Sequence, residues 1–217
     1  MGDERALSGS GYVNRWVEGL RKADVTVTSV LGFCAGGTFA AGIADELERL
    51  KGERPKLILF DPETPDALTL YYHFHKVVGG LAAGLPAERV AEVQEQGRLV
   101  TESGKQLADK AAELTEMFRE LVPVAFDAAG LDETFAEELA LTYASFLNYL
   151  MGAGEVDHRP GWRQSTVLAS RTPHSGLNPI PSAERSGMIA EEIGLDIEHV
   201  DLLRSADAAG ILRDLLK

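Results

Sequence analysis

A strand that leads directly into a helix through a glycine-rich turn is the feature that most constrains how this chain can fold. Residues 25–33, "VTVTSVLGF", carry β-branched residues with a period of two, which predicts a strand. The segment "CAGG" follows at once, and apolar residues then recur at helical intervals. They are Phe39, Ile43, Leu47 and Leu50, and Gly52 is placed to end the helix. Strand, tight turn and helix in this order are typical of an α/β protein.

The rest of the chain predicts further strands and helices on either side of a long helical segment. Residues 12–22 have helical spacing ahead of the first strand. The later elements are a strand at "KLILFD", several helices over 66–152, a strand at "STVLASR", a helix at "SAERSGMIAEEIG", a fourth strand at "LDIEHV" and a closing helix at "SADAAGILRDLLK". We therefore expect an α/β fold with a mainly parallel sheet of about four strands. Its core would comprise residues 1–65 and 156–217, with a helical insertion over 66–155.

Charge and composition exclude several classes of partner for this chain of 217 residues. The formal net charge is −13, which opposes binding to nucleic acid or to an anionic membrane. The first residues, "MGDERALSGSG", resemble no signal peptide, and no window is long and apolar enough for a membrane span. We expect a cytoplasmic protein, in which the single cysteine stays reduced. The sequence gives no indication of a bound metal.

That single cysteine, Cys34, lies in the strand-to-helix turn as part of a G-x-C-x-G motif. Glycines two residues to either side relieve the collisions that side chains at Gly32 and Gly36 would make in a sharp turn. A thiol at a helix N-terminus is exposed to unpaired N–H groups, which would favour thiolate and lower its pKa. The Ala35 amide would point at the oxyanion formed when a carbonyl is attacked. The alternative is that Cys34 is a small buried apolar residue.

Three segments together resemble the α/β-hydrolase thioesterases of polyketide and nonribosomal peptide assembly lines. They are "VLGFCAGG", "KLILFDPETP" and "EHVDLLRSADAAGIL". The resemblance implies a catalytic triad in which Cys34 is the nucleophile, Asp61 the acid and His199 the base. Most members of the family have serine as the nucleophile, so this chain would belong to a cysteine-bearing minority.

Other interpretations of the acid and the base stay open from the sequence alone. Asp61 could simply end a strand ahead of a proline. His199 has the best setting because an apolar strand is predicted to deliver it to the carboxyl edge of the sheet, and His174 is the reserve. His158 lies in a turn-rich loop, and His73 and His75 are predicted to be residues of a lid.

The resemblance also implies a substrate class and a set of partners. The expected activity is transfer or hydrolysis of an acyl thioester held on the phosphopantetheine arm of an acyl or peptidyl carrier protein, or on coenzyme A, with no bound cofactor. The helical insertion would form a lid, and Phe33, Tyr72 and Phe74 would bind substrate. A different class of function is a non-catalytic hydrolase-like module that binds an acyl group or a partner.

The chain departs from the family before its first strand, where only about two dozen residues stand in place of several strands. The resemblance therefore covers about three-quarters of the family pattern, with an N-terminally shortened sheet. A second oxyanion donor would have to come from elsewhere, and "LSGSG" at residues 7–11 is the candidate. The first strand would form an exposed edge, so we expect self-association or an obligate partner chain.

Overall fold

A computed structural model describes residues 7–23 and 25–217, and the chain divides into two compact units. One unit comprises residues 8–64 and 152–217 and contains the sheet. Residues 65–151 make up most of the other unit, and the regular elements of this range are all helices. No helix in the described ranges is long and apolar enough to cross a membrane.

The sheet has four strands, which lie in the order β1-β2-β3-β4 and are all parallel. Their bounds are Ser29–Phe33 (β1), Lys56–Phe60 (β2), Thr166–Ala169 (β3) and Glu191–Gly194 (β4). The prediction of an α/β fold with a mainly parallel sheet of about four strands is confirmed. Within the described part of the chain, β1 pairs with β2 on one side only, so its other side is a sheet edge.

Helices account for most of the remaining chain. Those of the sheet-containing unit are α1 (Gly9–Ala23), α2 (Gly36–Lys51), α7 (Arg159–Trp162), α8 (Ser182–Arg185), α9 (Ala206–Leu215) and a 3₁₀ helix at His199–Arg204. The helical unit contains α3 (Ala67–Gly79), α4 (Ala87–Glu102), α5 (Leu107–Ala128) and most of α6 (Glu133–Glu155). The helix predicted after Cys34 ends as expected, because Gly52 adopts a left-handed conformation at its C-terminus.

Alternate residues of β2 face two separate parts of the core. Leu57 and Leu59 pack in a cluster with Trp162 and residues of α2. Ile58 and Phe60 point the other way, into a cluster with Leu202. Both faces of this strand are therefore covered, as its continuous apolar run predicts.

The first strand is shorter than its sequence predicts. Residues 25–28 are all β-branched, yet β1 begins only at Ser29. Ser29 lies opposite Lys56, the first residue of β2, and the Thr28 carbonyl before it accepts from the Lys56 N–H at 2.9 Å, so the strand begins where β2 begins. Hydrogen bonding to a partner, rather than intrinsic propensity, sets where this strand starts.

The fourth strand was predicted in the wrong place. The segment "LDIEHV" does not form a strand; β4 instead comprises Glu191–Gly194, within the segment predicted to be helical. That helix is reduced to Ser182–Arg185. Pairing of Glu191 with Thr166 of β3 gives these residues a backbone ladder that their helix-favouring side chains do not indicate. Both glutamates of β4 are exposed, as charged side chains on an edge strand commonly are.

Candidate active site

Cys34 lies at the carboxyl end of β1, in the turn that begins α2. Its N–H donates to the carbonyl of Phe60 at 3.0 Å, which continues the β1–β2 ladder by one residue. Its φ is +52°, a left-handed conformation that is strained for a residue with a side chain. This strained strand-to-helix turn is the geometry of a nucleophile elbow.

Gly32 is required by the packing of this turn. A Cβ at position 32 would lie 2.7 Å from the Cβ of Ala40 and 2.7 Å from the Cα of Gly37. Such distances are far shorter than carbon–carbon contact, so the first turn of α2 can approach β1 only when residue 32 lacks a side chain. The reason given from the sequence for the glycine at this position is thus the reason found in the structure.

Asp61 and His199, predicted as acid and base, are brought together. Nδ1 of His199 lies 2.8 Å from Oδ2 of Asp61. The other carboxylate oxygen, Oδ1, accepts a 2.7 Å hydrogen bond from the N–H of Ser170. The Asp61 side chain is only 1% exposed, and its backbone also adopts a left-handed φ of +41° directly after β2. An aspartate that merely ended a strand would not need this buried arrangement around an imidazole.

A loop and a 3₁₀ helix, rather than a strand, deliver His199 to this position. His199 is the first residue of the 3₁₀ helix, and β4 ends five residues earlier at Gly194. The N–H of His199 donates to Oγ1 of Thr172 at 2.8 Å. The imidazole stacks on the ring of Phe33, with 4.7 Å between the ring centroids. The predicted residue is therefore found at the site, although the element predicted to carry it was wrong.

The environment of the Cys34 thiol is the opposite of the expected one. Its pKa is raised to about 12, first by burial and then by the carboxylate of Glu63, which also accepts a hydrogen bond from the thiol. Asp61 raises the pKa further, whereas the Ala35 backbone N–H lowers it. The prediction of a thiolate stabilised by the helix N-terminus is therefore wrong for this structure, because desolvation and two carboxylates outweigh the backbone.

Two amides of the N-terminal segment 7–11, the candidate for a second oxyanion donor, are used otherwise. The N–H of Gly9 donates to a carboxylate oxygen of Glu155 at 2.8 Å. The N–H of Gly11 donates to the hydroxyl of Ser8 at 3.1 Å. Both amides help to begin α1, so neither is left to bind an oxyanion.

The remaining candidate residues lie in different surroundings. Phe33 is at the site, in contact with His199. Tyr72 and Phe74 belong to the helical unit, where Tyr72 is 59% exposed and Phe74 is fully buried. The burial of Phe74 favours a role in packing. The assignment of these three residues to substrate binding, and of the helical unit to a lid, stays a prediction.

Three of the other four histidines have partners that the structure places elsewhere. His158 packs against Trp162, and its Nε2 is 3.2 Å from the hydroxyl of Thr64. In the helical unit, His73 lies edge-on to Phe146, and His75 lies 3.4 Å from the hydroxyl of Tyr71. His174 is in the turn that follows β3. The acid is thus paired with the histidine that the sequence favoured over the reserve.

Three residues at the site were missed by the sequence analysis. Glu63 hydrogen-bonds the thiol, Ser170 holds the acid, and Thr172 holds the backbone of the base. The spacing D-x-E after β2 could have indicated Glu63, since it places a second carboxylate at the same sheet edge. Ser170 and Thr172 act through a backbone N–H and a loop hydroxyl, for which the sequence carries no signal.

Some solved structures have a fold similar to that of this chain. No protein-family model matches the sequence, and no curated protein matches it. The structure is similar to the NocB thioesterase domain, solved as a covalent complex with a fluorophosphonate nocardicin G analogue, with 15% identity and a TM-score of 0.51. That similarity covers 100% of this chain and 78% of the other.

A second similar structure is AB3403, a four-domain nonribosomal peptide synthetase bound to AMP and glycine. The identity is 12% and the TM-score 0.51, over 99% of this chain and 16% of the synthetase. At such identities the likeness shows the fold alone. The chain has a partial α/β-hydrolase fold, with four parallel strands and many helices.

Proposed function

We propose that this chain is a thioesterase-like acyl-transfer enzyme in which Cys34, His199 and Asp61 form a catalytic triad. The observation that carries the proposal is the 2.8 Å contact between Asp61 and His199. This contact is made at the carboxyl ends of the strands, where Cys34 occupies a strained elbow. Cys34 follows Phe33, which pairs with Phe60 in the sheet, and Asp61 follows Phe60. The proposed nucleophile and acid therefore follow neighbouring strands, at the carboxyl ends where α/β proteins commonly bind ligands.

The pairing with Asp61 gives His199 the form that a general base requires. When Nδ1–H donates to the Asp61 carboxylate, Nε2 is left with a free lone pair. In the proposed reaction Nε2 takes the thiol proton as the sulfur of Cys34 bonds to the thioester carbon. The carbonyl electron pair moves to oxygen, which the Ala35 N–H would stabilise. The oxyanion pair then re-forms the carbonyl, the C–S bond to the leaving group breaks, and the departing sulfur takes the proton from Nε2, which leaves the acyl group on Cys34.

The raised pKa of Cys34 limits how this step can proceed. A thiol with a pKa near 12 is almost entirely protonated at neutral pH, so a preformed thiolate cannot supply the rate. Proton transfer to His199 therefore accompanies attack, as it does for a serine nucleophile.

The proposed substrate is an acyl group on a phosphopantetheine thiol of a carrier protein or of coenzyme A. A thioesterase domain and a nonribosomal peptide synthetase are among the proteins of similar fold, which supports a carrier-bound thioester. An acyl-cysteine is itself a thioester, so its formation from the substrate is nearly balanced in free energy. Passage of the acyl group to another thiol or to an amine is then as reasonable as passage to water.

The second candidate is a non-catalytic module that binds an acyl group or a partner protein. The observation that favours it is the sheet of four strands with an unpaired β1 edge in the described chain, together with the protonated thiol. Incubation with acyl-pantetheine thioesters, followed by intact mass, separates the candidates. An enzyme acquires one acyl group that the Cys34→Ala variant does not acquire.

The fate of that adduct distinguishes the two enzymatic reactions. A hydrolase shows the adduct only transiently and accumulates free acid. A transferase keeps the adduct in water and releases it when a carrier thiol or an amine is added. Failure to form an adduct with any thioester would favour the non-catalytic module.

A further inference from the structure

Glu63 lies beside the nucleophile because the turn after β2 brings it there. Asp61 directly follows β2 and adopts a left-handed φ of +41°. Two residues later, the N–H of Glu63 donates to the carbonyl of Cys34 at 3.3 Å. Its carboxylate accepts a hydrogen bond from the Cys34 thiol. Both the backbone and the side chain of Glu63 therefore contact the same residue.

Packing of the neighbouring proline fixes this arrangement. Pro62 is buried, and its Cβ would lie only 2.8 Å from a Cβ placed at Gly37, in the first turn of α2. The loop after β2 is therefore pressed against the helix that Cys34 precedes. Pro62 packs against α2 and the Glu63 N–H binds the Cys34 carbonyl, so the Glu63 carboxylate needs little further ordering to stay near the thiol.

The electrostatic effect of this carboxylate is unfavourable to the proposed nucleophile. Apart from burial, Glu63 is the largest cause of the raised thiol pKa, and Asp61 adds to it in the same direction. Asp61 is paired with His199, whereas Glu63 contacts the sulfur directly. If the thiol lost its proton, the negative charge on sulfur would be repelled by the Glu63 carboxylate. The hydrogen bond from the thiol to this carboxylate would also be lost.

We propose that Glu63 is a positioning residue whose hydrogen bond holds the Cys34 thiol until a thioester binds, and that attack requires this hydrogen bond to be exchanged for one to His199. The inference rests on the proposed function. When the exchange occurs, the proton of Sγ passes to Nε2 of His199 as the S–C bond forms, and Glu63 neither gains nor loses a proton. The nucleophile is then reactive toward a bound thioester and unreactive toward small electrophiles that do not displace Glu63.

Alkylation by iodoacetamide tests this inference without requiring any acyl transfer. In the wild type we expect a rate that keeps rising to above pH 10 without reaching a plateau, because the thiolate fraction grows with pH up to a pKa near 12. Glu63→Gln removes the charge and keeps the size of the side chain, so its thiol should ionise at lower pH. Each unit of fall in pKa gives about ten times more thiolate and costs about threefold in nucleophilicity, a net gain of about threefold at pH 8.

The matched control is Glu53→Gln, which removes the same charge from an exposed residue in the loop between α2 and β2. Its alkylation rate should equal that of the wild type at every pH. Glu63→Ala is a second test variant, since it removes the hydrogen bond entirely. Circular dichroism and the melting temperature identify any variant that has lost its fold.

Unchanged alkylation of folded Glu63→Gln and Glu63→Ala would overturn the inference. Faster alkylation of both, with an unchanged Glu53→Gln, would support it. The acyl-adduct experiment is independent of this result. If the two Glu63 variants are alkylated faster but the wild type forms no acyl adduct, Glu63 restrains the thiol and the proposed acyl-transfer activity is wrong.

Discussion

The imidazole of His199 stacks on the ring of Phe33, with centroids 4.7 Å apart and planes inclined by only 20°. Phe33 is the last residue of β1 and immediately precedes Cys34. The strand that presents the proposed nucleophile thus also supplies a flat surface against the proposed base. Asp61 fixes one edge of the imidazole, and Phe33 fixes its face.

Removing this surface should reduce acyl transfer more than it reduces stability of the sheet. An aromatic pair contributes about 0.5–1.5 kcal/mol beyond its buried area, so Phe33→Ala should lower kcat/KM by about 2- to 13-fold through misplacement of His199. Phe33→Tyr should retain most of the activity. Leu31→Ala, on the same strand, is the control for a general effect on β1. Equal losses in Phe33→Ala and Leu31→Ala would contradict a specific role of the stacked ring.

Thr172 is predicted to position the base through the backbone. Its Oγ1 accepts from the N–H of His199 and donates to a carboxylate oxygen of Glu198 at 2.6 Å. Thr172→Val keeps the shape and leaves the His199 N–H without its partner, at a cost of about 1–3 kcal/mol. We expect kcat/KM to fall by about tenfold or more and Thr172→Ser to restore it. A folded Thr172→Val variant with the kcat/KM of the wild type would show that the loop hydroxyl does not position the base.

Much of the fold could be predicted because its signals are local. The continuous apolar run of β2 and the glycine at position 32 depend on neighbours along the chain, and both predictions are confirmed. The position of β4 could not be predicted in this way. Its glutamates form a strand only because β3 offers them a backbone ladder, an interaction between residues about 25 positions apart.

The same difference separates the parts of the site that were predicted from those that were missed. Cys34 and Asp61 follow recognisable strands, so their shared sheet edge could be inferred. The raised pKa of the thiol could not be inferred from the sequence, because it depends on how deeply the sulfur is buried and on the nearby Glu63 carboxylate. Stabilisation of the thiolate by the helix N-terminus is only one of several opposing effects on the pKa of Cys34.

Tyr72 and Phe74 should behave differently when each is replaced by alanine. Phe74 is fully buried and lies near Tyr143 in the helical unit, so Phe74→Ala should cost about 3–5 kcal/mol of unfolding free energy. Tyr72 is 59% exposed, and Tyr72→Ala should cost about 0.5 kcal/mol or less. Chemical denaturation measures both. If the helical unit is a lid, Tyr72→Ala should shift acyl-chain preference; similar unfolding free energies would contradict the packing described here.

The β1 edge, which has no second neighbouring strand in the described part of the chain, predicts self-association or an obligate partner. Leu31, in the middle of this strand, is 45% exposed beside an apolar groove of about 330 Å³. Residues lining that groove include Phe33, Phe60, Leu202, Leu203 and Leu212. Sedimentation at micromolar concentration should show an oligomer, and Leu31→Lys should weaken it by charging the edge. Leu99→Lys, at an exposed residue of α4, should leave the oligomer unchanged. A monomer that captures no partner in a pull-down would contradict this expectation.

The rate at which Cys34 acquires an acyl group tests the proposed triad most directly. Single-turnover acylation by an acyl-pantetheine thioester can be followed by intact mass, with the modified residue located by peptide mapping. The acyl group should map to Cys34, and Asp61→Asn should slow its transfer by about 10⁴-fold, because an asparagine favours the wrong tautomer of His199. His199→Ala should be impaired at least as much. Acylation of Cys34 at the wild-type rate in both variants, or acylation of another residue, would contradict the assignment of Asp61, His199 and Cys34 as a catalytic unit.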